Sequence, residues 1–212
     1  MRILRLARSW TGRCCRYACV GALASLMYPS VLQAQQPLDP LNLREVEQAK
    51  TLFLRDANVQ TNLGNNQNRF RIVMVERHEY PKSVALTAER AANVVAYNYT
   101  TDVAVSAVVG LGSNAVKNVV ATTGAQPSLS PDELTEAREL AIGNPAVQAR
   151  LASAGAAADP ESLIVTHLFV KDRAGPRSCA VHRCIVLFFN TTAAALNVTP
   201  IVDLSARTVE VP

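Results

Sequence analysis

Two kinds of hydrophobic spacing alternate along this chain, and they recur in the same order in each half. Leu43, Val46, Ala49, Phe53 and Ala57 stand at helical spacing with charged residues between them. Asn42 is placed to cap that helix, with Glu45 at the reciprocal third position. The stretch from Asn58 to Asn68 is polar, contains Gly64-Asn65-Asn66 and is expected to be a loop. From Arg69 to Arg77 the period changes to two. Phe70, Ile72 and Met74 fall on one side and Arg69, Arg71 and Val73 on the other, as in a strand with one buried face. Residues 94–99, 103–111 and 115–121 are β-rich runs, parted by the turn sequences Tyr99-Thr100-Thr101-Asp102 and Gly112-Ser113-Asn114.

The order restarts at Ser130-Pro131-Asp132-Glu133, a serine cap with proline in the first turn and an acid at the third position. Leu134, Ala137 and Ala141 mark the apolar face of this helix. Gly143-Asn144-Pro145 ends it and opens another, with Val147 and Leu151 inward, which Gly155 stops. Strands are expected over 162–170, 184–190, 195–204 and 208–211. Shifting one half by 93 positions aligns Val108-Val109-Gly110-Leu111 with Ile201-Val202-Asp203-Leu204, Ala115-Val116 with Thr208-Val209, and Arg90 with Arg183. The expected fold class is therefore α+β: two similar units, 35–123 and 124–212, each a helix packed on a roughly four-stranded antiparallel sheet. A sheet covered by its helix on one side and solvated on the other satisfies the pattern of each unit. Chance likeness among apolar strands is the competing reading of the repeat.

Charge changes this picture only at the N-terminus. Arg2, Arg5, Arg8, Arg13 and Arg16 precede the apolar run 18–28, and Pro29 and Ala34 supply a breaker and a small exit residue. Residues 1–34 are expected to be a signal peptide, too short in its apolar part for an ordinary spanning helix, with an uncleaved anchor as the alternative. The whole chain has 21 basic and 17 acidic residues, and five of the basic ones are in this leader. The remainder has 16 against 17, so nothing points to nucleic acid, and no membrane insertion is expected once the signal is removed. Cys14, Cys15 and Cys19 leave with the leader. Cys179 and Cys184 stay, and an exported chain favours their pairing as a disulfide through a turn at Ala180-Val181-His182-Arg183. Free thiols, or a copper or zinc corner of Cys179, His182 and Cys184, are the alternatives.

Two stretches resemble a known family. Pro37-Leu38-Asp39-Pro40-Leu41, followed by Glu45 and Ala49, is similar to the opening of the second N-terminal domain of copper amine oxidases. Gly124-Ala125-Gln126-Pro127-Ser128-Leu129, followed by Glu133, Ala137, Pro145, Val147, Leu151, Gly155 and Asp159-Pro160, is similar to the start of their third. The resemblance runs over nearly all of 37–212, is densest at each domain opening, and implies a helix on an antiparallel sheet in both. In that family the small domains precede a large β-sandwich that holds copper and a quinone made from tyrosine. Its motifs are a tyrosine in an Asn-Tyr-Asp/Glu setting, a His-x-His pair, a distant histidine and an aspartate base. Asn98-Tyr99-Thr100-Thr101 lacks the acid, and His78, His167 and His182 form no His-x-His. No catalytic or copper-binding residue is carried over, and no cofactor is expected.

The remaining candidates have plain structural readings beside the chemical ones. His78 lies among Glu76, Arg77 and Glu79 at an expected strand end, and His167 is expected to point outward from its strand. Asp132, Glu133 and Glu136 suit the positive end of a helix. Gly110-Leu111-Gly112 and Gly124 lack phosphate-loop spacing and are expected as turns. Asn98, Asn190 and Asn197 satisfy the N-glycosylation pattern, with Asn98 and Asn190 expected at accessible strand ends. The expected function is that of a secreted or periplasmic, non-catalytic module binding an unknown protein partner or a second copy. The alternative is an N-terminal fragment of a copper-dependent primary-amine oxidase.

Overall fold

Asn42 does open a helix, and it does so with a reciprocal cap. The computed structural model describes residues 38–65, 67–85, 87–159, 163–169, 177–192 and 194–212, so the expected leader 1–34 lies outside the described residues. Helix α1 spans Leu43–Arg55; the Asn42 side chain accepts from Glu45 N and the Glu45 side chain accepts from Asn42 N, each at 2.9 Å. Ala49 and Phe53 are its buried residues. Asp56 ends α1 and caps a second helix, α2 (Ala57–Leu63), so the expected loop begins only at Gly64, whose left-handed φ of 82° suits glycine. The polar segment is helical because Val59 and Leu63, four apart, are both fully buried; tertiary packing of that face outweighs weak local propensity.

The strands β1 (Phe70–Arg77), β2 (Ala91–Asn98), β3 (Val103–Gly110) and β4 (Ala115–Thr123) form an antiparallel meander in chain order. The face of β1 differs from the simple alternation. A register shift between Ile72 and Met74 moves the helix-facing set from Phe70 and Ile72 to Val75, while Val73 turns into the opposite core. A one-residue bulge exchanges the two faces of a strand, and alternation alone does not reveal where it falls. Ala92, Val94, Ala96, Val105, Ala107 and Val109 pack beneath α1 and α2.

In the second half, α3 (Pro131–Gly143) opens with the Ser130–Glu133 capping box, and α4 (Pro145–Ser153) is capped by Asn144. Strands β5 (Ile164–Phe169), β6 (Cys184–Asn190), β7 (Ala195–Val198), β8 (Ile201–Asp203) and β9 (Thr208–Glu210) form a five-stranded antiparallel sheet. The single strand expected over 195–204 is two short strands, both paired with β6, broken at Thr199-Pro200. Proline has no N–H for the ladder, while Pro200 O still accepts from Leu187 N at 3.0 Å.

The same bonds recur in both halves. Gln60 Nε2 donates to Leu54 O as Gln148 Nε2 does to Ile142 O, and Asp56 N donates to Phe53 O as Asn144 N does to Ala141 O, each pair 88 residues apart. In the strands, Leu111 N donates to Arg90 O as Leu204 N does to Arg183 O, 93 residues apart. These strand bonds lie 93 residues apart and the helix bonds 88 apart, a difference of five residues that falls between α4 and β5.

The two sheets are not independent layers. Val73, Tyr97, Tyr99 and Ala104 leave the first sheet on the side away from α1 and join the core of Ala137, Ala141, Leu151, Ile185, Leu187, Phe189 and Leu204. The first sheet is thus covered on both faces at this end, not solvated on one, and β2 is almost continuously buried as a two-sided strand must be. The described residues belong to one compact unit. Among them no helix is long and apolar enough to cross a membrane.

Candidate functional site

The chemistry-bearing side chains gather where the two halves meet, and the helix caps organise them. Glu45 and Glu133 each occupy the third position of the first helix of their half, and each receives an arginine standing immediately before an inner strand. Arg90 donates to Glu45 from Nε and Nη2, and its other bonds reach Asp39 O and Pro40 O at 2.9 and 2.8 Å. Arg183 donates to Glu133 from Nε and, at 3.0 Å, from Nη2, and reaches Ser128 O at 3.0 Å. The first pair is partly exposed, at 15% for each side chain; the second has no exposure at all.

Around Arg183 the first half is inserted into the second. Tyr99 OH donates to Glu133 Oε1 at 2.6 Å, and the Arg183 guanidinium lies 4.9 Å from the centroid of the Tyr97 ring. Arg69 covers the other tyrosine, 4.3 Å from the Tyr99 centroid, and donates to Leu204 O and Ser205 O. Burial would raise the Glu133 carboxyl, but the hydrogen bonds and charge of Arg183, with bonds from Tyr99 and Ser130, outweigh it and hold the group below its ordinary range. Burial first, then the neighbouring carboxylates Asp102 and Glu133, push the Tyr97 and Tyr99 phenols up. Both tyrosines are therefore neutral donors.

A second polar group lies beside the first. Asp102, at a left-handed φ of 53° in the β2–β3 turn, accepts from Tyr97 OH at 3.2 Å and from Ser205 Oγ. His182 places Nδ1 2.7 Å from Asp203 Oδ2 and Nε2 3.8 Å from Asp102 Oδ2. Its hydrogen bond to Asp203 raises its proton affinity; partial burial opposes this, and the charges of Asp203 and Asp102 add to it. Glu136 joins Arg71, Arg207 and Arg69 at 3.0, 3.2 and 3.8 Å along an open groove of about 480 Å³. Each of these residues is paired with another across or beside the junction of the two sheets.

Cys179 and Cys184 are joined as a disulfide, with Cα atoms 5.4 Å apart, through a short 3-10 helix at Arg177–Ala180 and the turn after it. The sulfurs of the imagined Cys179–His182–Cys184 metal corner are bonded to each other, and the histidine faces carboxylates. Among the described residues no group of three or more His, Cys, Asp and Glu side chains is placed to hold a metal ion. The disulfide is buried with Ile201 and Val186. Replacing both cysteines by serine is expected to lower stability by about 2 kcal/mol, the chain-entropy figure for so short a loop, read as a lower urea midpoint.

The other histidines have separate surroundings. His78 is bonded to Asn93 Oδ1 at 2.7 Å and stacks edge-on with Tyr80. His167 is solvent-exposed, yet it shares the helix side of β5 with Val165, near Leu134 and Arg138, rather than the outward side. Of the three glycosylation sequons, Asn98 is not accessible. It is fully buried, donates to Leu63 O at 3.4 Å and accepts from Thr100 N and Thr101 N, so its amide closes a turn and leaves no room for a glycan. Asn190 is half-buried at the end of β6, and Asn197 is exposed with φ 52°. Sequence reasoning missed Tyr97, Tyr99, Asp102, Asp203 and Ser205. The pairing of Arg90 with Arg183 in the repeat was the available signal, because each stands opposite a capping glutamate.

No family model and no curated protein sequence matches the chain. Among solved structures it is similar to a copper-containing benzylamine oxidase from Hansenula polymorpha, with a TM-score of 0.52 and 14% identity over 84% of this chain. The matched region is 30% of that oxidase, so the likeness is one of fold, to a part of a copper amine oxidase.

Proposed function

We propose that this chain is an exported, non-catalytic accessory module built from two copies of one α+β unit, which presents a surface to a protein partner or to a second copy. The observation that carries the reading is the outer face of the second sheet. Ile164 and Leu168 are 49% and 62% exposed on β5, an outermost strand, and stand beside half-buried Val186 and Phe188 of β6 on the side away from α3. Large apolar side chains grouped on one face favour association. The cap, arginine and strand bonds repeated at 88 and 93 residues support the tandem origin, with 35–123 and 124–212 as its two units. The disulfide favours an oxidising compartment and so an exported chain. The pairing of Glu133 with Arg183 and of Asp102 with His182 supports a structural role for the polar centre. The likeness to a part of a copper amine oxidase, read as its second and third N-terminal domains, supports an accessory role.

Leu168→Lys is expected to weaken self-association, or retention of the co-purifying partner, by roughly tenfold or more, as loss of an interface anchor does. Sedimentation of the purified chain and co-elution of the partner measure it; unchanged association would remove this face from the proposal. The second reading, an N-terminal portion of a primary-amine oxidase, is favoured by the structural likeness to the benzylamine oxidase. Oxygen uptake with benzylamine by the native product of the complete reading frame decides for it.

A further inference from the structure

We propose that the disulfide-closed loop from Cys179 to Cys184 is a pH- and redox-sensitive strap between the two sheets, in which His182 as imidazolium ties Asp102 of the first sheet to Asp203 of the second. The loop is held at its base by the disulfide and by His182 N donating to Ser178 O at 2.7 Å, which aims the ring at the junction. Gln126 Nε2 reaches His182 O at 3.5 Å from the segment before α3.

The two arms of the ring respond differently to a proton. Nδ1–H donates to Asp203 Oδ2 at 2.7 Å, a bond that the neutral Nδ1-protonated tautomer keeps. Nε2 faces Asp102 Oδ2 at 3.8 Å. When protonated, this nitrogen is a cation beside a carboxylate; when neutral, it turns a lone pair toward the same carboxylate. The arm that crosses to the first sheet is therefore the one that depends on pH. The charges facing the ring are Asp203 from β8 and Asp102 from the β2–β3 turn. Behind Asp102 stand Tyr97 OH from β2 and Ser205 Oγ, and the Arg183 guanidinium lies over the Tyr97 ring. Asp203 is fixed independently, because its Oδ1 accepts from Ala206 N at 2.8 Å.

The folded state raises the proton affinity of His182, so the strap's contribution is complete below the unfolded histidine value of about 6.5 and fades as pH rises through the folded value. Reduction of the disulfide releases the base of the loop and with it the aim of the ring. The junction tightens on acidification toward mildly acidic pH and slackens with alkali or reductant.

The test uses the oxidised full chain. His182 is one of three histidines, assigned in proton–carbon spectra by loss of its resonance in His182→Gln. Its titration is expected above the ordinary histidine value, shifted down by Asp203→Asn and, by less, by Asp102→Asn, and moved toward the ordinary value by dithiothreitol. A double-mutant cycle of His182→Gln with Asp102→Asn, read as unfolding equilibrium constants in urea, is expected to show a several-fold favourable coupling at about pH 5.5 and none at about pH 9. Equal coupling at both pH values, or His182 titrating at or below the ordinary value in the unmutated chain, overturns the strap. A His182 titration indifferent to dithiothreitol overturns its redox half.

Discussion

Arg183→Met is expected to lower the free energy of unfolding by about 3–5 kcal/mol, the loss that follows when one member leaves a buried ion pair. Neither Arg183 nor Glu133 has an exposed side chain, and Tyr99 and Ser130 both donate to the same carboxylate. Removing the guanidinium leaves that carboxylate inside the junction without its cation. The pH dependence should change sign with it. In the unmutated chain Arg183 holds Glu133 below its ordinary range, so this stabilisation is complete above the unfolded glutamate value of about 4.3 and is lost as pH falls through the folded value. In Arg183→Met burial is opposed only by the hydrogen bonds from Tyr99 and Ser130, the carboxyl is expected to rise, and acidification relieves the site instead of loosening it. Urea unfolding across the carboxylate range measures both effects. Glu133→Gln combined with Arg183→Met should recover most of the loss, since neither position of the pair then carries a charge. A double variant as unstable as the single one would assign the role of Arg183 to its packing over Tyr97.

Phe189→Ala is expected to cost a further class of stability, about 3–5 kcal/mol, through the cavity left by a fully buried ring. Phe189 belongs to the core that includes Val73, Tyr97, Tyr99 and Ala104 of the first sheet. Unfolding of the second half should therefore carry the first with it. Tyrosine near-ultraviolet circular dichroism, dominated by the ordered Tyr97 and Tyr99, and backbone far-ultraviolet signal should shift together to one lower midpoint. A tyrosine signal that survives while half of the backbone signal melts would show the halves to be separable.

How much of this was legible depends on how local each feature is. The caps at Asn42 and Ser130 were legible because a reciprocal bond between the cap and the third residue of a helix is settled within four positions. The disulfide was legible as one of three options for two cysteines five apart. Helix α2 was not, because its polar segment is helical only where Val59 and Leu63 have a sheet to cover. The face of β1 was misread at Met74 because a bulge adds a residue without changing the composition of the strand. Asn98 carries an accessible-looking triplet, but a triplet contains no information on burial. The outward reading of His167 failed for a related reason: exposure and the side of the sheet are separate properties at an outermost strand.

The polar centre shows the same division in sharper form. Arg90 and Arg183 were paired by the repeat, and Glu45 and Glu133 were read as helix-cap acids, yet the repeat alone did not bring each arginine to its glutamate. The alternation of helical and strand runs, the caps at Asn42 and Ser130 and the α+β class follow from the sequence alone, since these are set by spacing within a few residues. Which carboxylate meets which cation, that Tyr97 and Tyr99 cross into the second core, and that one arginine pair is slightly exposed while the other is fully buried were decided by the tertiary structure. Tyr99 and Glu133 are 34 positions apart, and Asp102 and Ser205 are 103 apart. Only the packing of two sheets against one shared core brings groups at such separations within the few ångströms over which a hydrogen bond or an ion pair acts.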